Sequence, residues 1–236
     1  MKYRNGLSGF TLLELSIVIV IIGLIVAGIS AGQSLVQQAK LRSLVSESGN
    51  ILTAVNSFRM QYDALPGDMN TAQDYWGVYG GGFGGTGVTN GNGNGVIGAG
   101  LGGQNQHREA KQAMRMLALS GLMPELSPYR AELGYTWQAG VDVPLSVYGN
   151  NLVMHLWGRS LLYGYTSSNS TDVPWNAFLT TAEALNIDTK NDDGIPASGL
   201  ITGGNGYPTA STCITGSEYD LSVTGAACRM QFSFYY

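Results

Sequence analysis

The stretch that decides the fold is Gly9-Phe10-Thr11-Leu12-Leu13-Glu14-Leu15-Ser16, which continues as Ile17-Val18-Ile19-Val20-Ile21-Ile22-Gly23-Leu24-Ile25-Val26-Ala27-Gly28-Ile29. The apolar run is long enough to cross a membrane as a helix. One carboxylate, that of Glu14, lies near its start, and a charged side chain at the centre of a bilayer costs about 3 kcal/mol on the insertion scale. Glu14 therefore needs either a partner or a function.

These residues resemble the prepilin class of N-terminal signal, which is a specific pattern. The resemblance implies that a prepilin peptidase cuts after Gly9 and that the new N-terminal Phe10 is methylated. Glu14 then stands at the fifth mature position, where the class has a glutamate. The short basic leader, residues 1–9, fits the same class.

A secretory signal peptide is the alternative interpretation. Such a signal has a basic start, an apolar region of about 7 to 15 residues and a small-residue cleavage site. The segments 27–29 and 30–32 could mimic that site. A glutamate directly after Gly-Phe-Thr-Leu-Leu makes a poor secretory signal, whereas the prepilin interpretation explains Gly9, Phe10 and Glu14 together.

Charge predicts the orientation and the compartment. Lys2 and Arg4 precede the apolar run, so the N-terminus is expected in the cytoplasm and everything after about Ala31 across the inner membrane. Charged residues make up only 12% of the chain, and the net charge of −4 gives no basic surface for nucleic acid. The working part is therefore expected to be periplasmic or on the cell surface.

The helix is predicted to continue beyond the membrane, because no proline occurs before Pro66 and apolar residues keep recurring at a helical spacing as far as Tyr62. The stretch 65–68 ends it, since the residue before a proline disfavours the helical region. The predicted organisation is a leader at 1–9, a spine helix at 10–65 with 10–31 in the membrane, and a globular head at 66–236. This organisation is similar to that of type IV pilins, in which half of a helical spine is embedded in a head.

The head is predicted to be α+β, with an antiparallel sheet packed on the apolar stripe of the spine. Glycine-rich residues 77–103 indicate a long surface loop, because glycine loses much backbone entropy on ordering. The expected helices and strands follow their apolar periodicity. The helices are expected at 107–121 and 174–185, and the strands at 151–157, 160–165 and 230–236.

Two short stretches match catalytic or cofactor-binding motifs, but neither lies in the structural context that its motif requires. The nucleophile-elbow match at 28–32 lies at the end of a membrane helix, whereas an elbow needs a strand before its serine. The dinucleotide-type match at 80–85 has no strand before it and no helix after it. His107 and His155 lack zinc-type spacing and are expected to be surface or packed histidines. No enzymatic activity is predicted.

One segment has the composition of a metal site. Asp188, Asn191, Asp192 and Asp193 gather three carboxylates and an amide around a turn, and calcium needs several oxygen ligands at once. Some pseudopilins carry calcium in C-terminal loops, a placement that this one resembles loosely. The alternative is a solvated turn closed by a hydrogen bond from an aspartate side chain.

The chain has two cysteines, Cys213 and Cys228, close together near the C-terminus. An even count in an oxidising compartment predicts one disulfide, worth about 3 kcal/mol for a loop of this length. Two buried free thiols are the alternative. The resemblance supports the bond, because many type IV pilins have a C-terminal disulfide loop.

The resemblance implies a structural subunit of a type IV pilus or of a type II secretion pseudopilus. Its partners would be membrane lipid before assembly, prepilin peptidase, the inner-membrane assembly machinery, and then further copies or other pilins in a helical filament. Glu14 would pair with the N-terminal amine of a neighbouring subunit. The alternatives are a membrane-anchored adhesin or carbohydrate-binding module, suggested by Trp137, Trp157, Trp175 and the many tyrosines, and an anchored hydrolase, for which the chain supplies no evident base.

Overall fold

The computed structural model describes residues 10–78, 87–98, 104–124, 145–148, 152–165, 176–206 and 212–234. The chain divides into two compact units, residues 1–42 and residues 43–236. A long N-terminal helix is followed by a domain with an antiparallel sheet, which confirms the predicted α+β fold.

Helix α1 runs without interruption from Leu12 to Tyr62. In its second half, one residue in every three or four is buried, as expected for a helix with one face in a core. These buried residues are Leu44, Ser48, Ile51, Ala54, Val55 and Phe58. The helix ends three residues before the predicted break, because Asp63 adopts the left-handed conformation with φ 52° and its N–H closes the last turn on the Arg59 carbonyl at 2.9 Å.

The remaining elements follow in chain order. They are α2 (Ala72–Trp76), α3 (Gln104–Leu119), β1 (Leu152–Trp157), β2 (Ser160–Tyr165), β3 (Leu179–Thr180), α4 (Thr181–Asn191), β4 (Ile201–Asn205), β5 (Ile214–Thr215), β6 (Glu218–Tyr219) and β7 (Ala226–Ser233). Strand β2 has the predicted bounds, β1 begins one residue later than predicted, and α3 covers 104–119 instead of the predicted 107–121. Strand β7 begins four residues before the predicted 230–236, and 235–236 lie outside the described residues.

Strand β7 is the centre of the sheet. It pairs antiparallel with β2, β3 and β4, and β1 pairs antiparallel with β2. Met230, Phe232 and Phe234 are buried, whereas Gln231 and Ser233 between them are partly exposed. This alternation is the one expected for the predicted strand, and it places one face of β7 in the core.

The helix expected at 174–185 was placed too early. The structure has an extended segment and β3 at 176–180, and α4 begins at Thr181. Thr180 fixes this start, because its hydroxyl accepts the Glu183 N–H at 3.3 Å while the Glu183 carboxylate accepts the Thr180 N–H at 2.9 Å. Pro174 and Trp175 lie outside the described residues.

The prediction of a surface loop at 77–103 was wrong for part of that range. Val88 and Ile97 are fully buried, and Ile97 exchanges two backbone hydrogen bonds with Gly158. Residues 92–94 between them are exposed, in agreement with the prediction. Residues 79–86 and 99–103 lie outside the described part of the chain.

Glu47 connects the second half of α1 to a short segment far along the chain. One of its carboxylate oxygens accepts the Val147 N–H at 2.9 Å, and the other accepts the Ser146 hydroxyl. The same carboxylate and the burial of the ring raise the pKa of Tyr163, with burial as the larger cause. The C-terminal half of α1 is thus held by the hydrogen bonds of Glu47 as well as by the packing of its apolar stripe.

Candidate processing and assembly site

The predicted processing site begins at a boundary of the described residues. Phe10 is the first described residue and is 92% exposed, and Gly9 lies outside. The structure therefore shows the residue after the predicted cut as accessible. The cut itself stays a prediction.

Glu14 lies in the first turn of α1 and has a partner within its own chain. The Thr11 N–H and the Thr11 hydroxyl both donate to one Glu14 carboxylate oxygen at 2.8 Å. The Glu14 N–H donates back to the Thr11 hydroxyl at 3.2 Å. This arrangement is a capping box, and the negative charge also lies at the positive end of the helix dipole.

The capping box was missed in the sequence, although its signal is there. Thr11 and Glu14 are three residues apart immediately before an apolar run, which is the standard spacing of a capping box. The box uses the Thr11 amide, which remains an amide when the chain is cut before Phe10. The cap and the predicted cleavage are therefore compatible.

The helix segment after Glu14 is exposed along its whole circumference. Every residue from Phe10 to Val36 is exposed, including large aliphatic side chains such as Ile17, Leu24 and Ile29. Helix α1 is long and apolar enough to cross a membrane. No charged residue other than Glu14 occurs between Phe10 and Ala39. An apolar surface of this extent needs either lipid or other apolar helices around it.

The structure brings together the three aspartates of the predicted metal site. Oxygen atoms of Asp188, Asp192 and Asp193 lie within 4.8 Å of one another. Asn191, the fourth predicted ligand, is the last residue of α4, and its side-chain amide donates to the Ile187 carbonyl at 2.7 Å. The prediction that calcium binds here is not tested by this geometry.

Internal donors already satisfy these carboxylates in part. Asp192 accepts two backbone N–H groups at the start of β4, and Asp193 accepts the Ser198 hydroxyl at 2.7 Å, which lowers the pKa of Asp193. Asp188 is fully buried and accepts the Tyr219 hydroxyl at 2.7 Å. Burial raises the pKa of Asp188 in spite of that bond. The cluster closes the turn after α4 onto β4 and β6.

Cys213 and Cys228 form a disulfide, in agreement with the sequence prediction. Both sulfur-bearing residues are fully buried. Cys228 lies in the central strand β7, and the Cys213 N–H donates to the Asn205 side chain of β4 at 2.8 Å. The bond therefore ties the loop that contains β5 and β6 to the middle of the sheet.

The structure describes the side chain of one of the two histidines, His155. His155 is fully buried on β1, with its ring centroid 6.5 Å from that of Trp157. His107 belongs to α3, and its side chain lies outside the described residues. The sequence predicted either a surface or a packed position for His155, and the structure shows the packed one.

A buried acidic pair was not found from the sequence. Asp68 and Glu109 are 3% and 1% exposed, and both accept backbone N–H groups from the loop at 92–98. Burial raises the pKa of Glu109, against the effect of the Gly98 and Asn92 N–H groups. No local pattern could have indicated the pair, because the partners of Asp68 lie 26 and 27 residues away.

The comparisons with known proteins agree with the geometry of the N-terminal segment. Residues 4–30 match the family model described as prokaryotic N-terminal methylation motif. No curated protein and no solved structure shows a match to the chain. A methylation motif at the start of a long apolar helix, followed by an α+β domain, fits a type IV pilin-like protein that is processed as a prepilin.

Proposed function

We propose that this chain is a structural subunit of a type IV pilus-like or type II secretion pseudopilus-like filament. The observation that carries the proposal is the methylation motif at residues 4–30, which overlaps the exposed apolar segment from Phe10 to Val36, where Glu14 is the one charged residue. Motifs of this kind precede helices that leave the membrane and pack together. The proposed role is assembly, and no catalytic step is part of it.

The proposed organisation follows the motif. Residues 1–9 are the leader, 10–65 form the spine with 10–31 in the membrane, and 66–236 form the extracytoplasmic part. The subunit waits in the inner membrane with its N-terminus in the cytoplasm. Prepilin peptidase removes the leader, and the inner-membrane assembly machinery then moves the subunit into a filament at the periplasm or cell surface.

Glu14 is the residue proposed to direct assembly. In the membrane its carboxylate is satisfied by Thr11, as described above. In the filament the second carboxylate oxygen accepts the N-terminal amine of a neighbouring Phe10, so that two charges are neutralised in an apolar core. The cap occupies one carboxylate oxygen, and the proposal assigns the other to the pairing.

The test is filament formation by a Glu14→Leu variant in cells that contain the assembly machinery. The variant is expected to insert and to be cleaved, because a membrane charge has been removed, but to give few filaments. Ser16→Leu is the matched control, since it makes a similar apolar change two residues away at a hydroxyl bonded only within the helix, to the Leu13 carbonyl at 2.8 Å.

Electron microscopy of sheared surface fractions, with antibody labelling of this chain, measures the outcome. Reduced labelling for Glu14→Leu with normal labelling for Ser16→Leu supports the proposal. Equal labelling for both variants contradicts the role of Glu14. A wild-type chain that stays in the membrane fraction and labels no filament favours a membrane-anchored binding module instead.

A further inference from the structure

Three Asn–Gly steps follow one another in the loop before Ile97. They are Asn90–Gly91, Asn92–Gly93 and Asn94–Gly95. Asparagine is a chemically labile residue. It is most labile before glycine, which has no Cβ to hinder approach to its backbone nitrogen. The sequence thus places three labile steps within six residues.

The reaction at such a step is spontaneous deamidation. The glycine nitrogen loses its proton and forms a bond to the side-chain carbonyl carbon of the asparagine, and the bond from that carbon to the amide nitrogen breaks. The amide nitrogen takes up a proton and leaves as ammonia, which gives a cyclic imide. Water then opens the ring to aspartate or isoaspartate. Water is the only co-reactant.

In the structure all three glycine nitrogens are held by two consecutive residues. Gly91 donates its N–H to the Met69 carbonyl at 2.9 Å, and Gly93 donates to the Asp68 carbonyl at 2.8 Å. Gly95 donates to the Asp68 carboxylate at 2.7 Å. Each hydrogen bond stabilises the protonated form of the nitrogen that the reaction must deprotonate.

The asparagine side chains are held as well. The Oδ1 atom of Asn90 accepts the Gln73 N–H at 2.8 Å. The Oδ1 atom of Asn92 accepts the Asn94 N–H at 2.9 Å, and that of Asn94 accepts the Val96 N–H at 2.9 Å. Both reacting groups of each step are therefore fixed by other partners.

Glycine is required by the packing of this loop, which accounts for a labile sequence in a folded region. A Cβ on Gly91 would lie 2.3 Å from the backbone carbon of Asp68. Gly93 and Gly95 have positive φ angles of 69° and 81°, which favour glycine. At Gly91 the close packing that demands glycine also brings its nitrogen within hydrogen-bond distance of the Met69 carbonyl.

We propose that residues 90–95 are a site of spontaneous deamidation that the turn at Asp68 and Met69 protects in the folded chain. Asp68 is 3% exposed, and its carboxylate accepts both the Asn94 and the Gly95 N–H groups, at 3.0 and 2.7 Å. The third step therefore depends on the side chain of Asp68. The first two depend on the backbone of the same turn.

Deamidation at one step makes the next one easier. Each event adds a negative charge beside two buried carboxylates, since Glu109 accepts the Asn92 N–H at 3.0 Å. A further negative charge close to these carboxylates is disfavoured by repulsion between like charges. An isoaspartate also lengthens the backbone where it packs on Asp68. The loop therefore opens further once the first step has reacted.

The test follows deamidation by peptide mass mapping with a separation of aspartate from isoaspartate. The full chain is incubated in detergent at neutral pH, native or unfolded in urea. All three steps of the unfolded chain are expected to react. In the native chain Asn94–Gly95 is expected to react at least about tenfold more slowly, as the loss of a charged hydrogen bond implies, and the other two steps about fivefold more slowly, because their glycine N–H groups donate to neutral carbonyls. Equal rates in the native and unfolded chains overturn the proposal without any variant.

The Asp68→Ala variant tests whether the Asp68 side chain provides the protection. We expect Asn94–Gly95 to react first and about tenfold faster than in the native wild type. Asp74→Ala is the matched control, because Asp74 is an exposed aspartate in α2. Asp68→Asn keeps the size of the side chain and one acceptor, and it should give an intermediate rate. An unchanged Asn94 rate in a folded Asp68→Ala chain contradicts the role of Asp68, and if that variant unfolds, the Asp68→Asn rate decides.

Discussion

Thr11 and Glu14 cap each other at the first turn of α1 through three hydrogen bonds of 2.8 to 3.2 Å. The carboxylate therefore has a hydrogen-bond partner within a single chain. If the apolar helix lies in a membrane, as proposed, this bonding lowers the cost of placing Glu14 there. It also makes Thr11 a determinant of how the apolar helix begins.

Thr11→Val should weaken the start of α1. The variant keeps the shape of the side chain but loses the hydroxyl, which should reduce the stability of the first turn by about 1 kcal/mol. Thr11→Ser keeps the hydroxyl and is the control. Amide hydrogen exchange of residues 12–16 in detergent micelles measures the effect. Identical exchange in the wild type and the Val variant would show that the cap contributes nothing to the helix.

Reduction of the disulfide between Cys213 and Cys228 should destabilise residues 43–236 by about 2 to 5 kcal/mol. The loop that it closes has little apolar content and is joined to β7 by this bond. Calorimetry of the full chain in detergent, with and without reductant, gives the change in melting temperature. The paired Cys213→Ser and Cys228→Ser variant should melt like the reduced wild type and should not respond to reductant. A wild type insensitive to reductant, with both thiols shown to be free, would contradict the prediction.

The predicted calcium site at Asp188, Asp192 and Asp193 can be tested by thermal unfolding. If calcium binds the three aspartates, millimolar calcium raises the melting temperature over that measured in chelator. The increment in the free energy of unfolding is RT ln(1 + [L]/Kd), where [L] is the free calcium concentration and Kd the dissociation constant. The increment should shrink as the pH falls through the raised pKa of Asp188, because a protonated carboxyl is a poor ligand. Asp192→Asn should abolish it. Melting that is independent of calcium in the wild type would leave the cluster as a hydrogen-bonded turn.

Asp63→Gly should stabilise the end of α1. Asp63 has φ 52°, and the left-handed conformation costs roughly 1 to 2 kcal/mol for most residues other than glycine. The greater freedom of glycine in the unfolded chain offsets part of this, so the expected gain in the free energy of unfolding is about 0.5 kcal/mol. Asp63→Ala should lower it, since alanine tolerates this conformation less well than aspartate. Urea denaturation compares the two, and a change of the same sign in both would contradict the explanation.

Elements with a long, regular pattern were predictable from the sequence. Helix α1 follows from uninterrupted apolar periodicity, and β7 follows from the alternation of Met230, Phe232 and Phe234. Strand β4 was missed because two glycines lower its apparent strand propensity. Gly203 is there for packing, since a Cβ at that position would lie 2.6 Å from the Tyr219 ring. Such a contact depends on residues distant in sequence, so no local pattern indicates it.

Some residues of the candidate site could be singled out from the sequence, and their roles in processing and assembly stay predictions. Gly9, Phe10 and Glu14 stand out because a short motif carries them, and Cys213 and Cys228 because they are the two cysteines of the chain. The Asn–Gly steps are visible in the sequence, but their contacts with Asp68 are not. Those contacts join residues more than twenty positions apart, and periodicity does not indicate such pairs.

The most direct test of the filament account is the intact mass of the chain recovered from the membranes of cells with prepilin peptidase. We expect a polypeptide that begins at Phe10 and carries one N-methyl group, and we expect Gly9→Val to leave the leader in place. Gly6→Val, a similar change within the leader, should be processed normally. An N-terminus near Ala31 would show removal by a secretory signal peptidase and would contradict the account, because the apolar spine and Glu14 would then be absent from the mature protein.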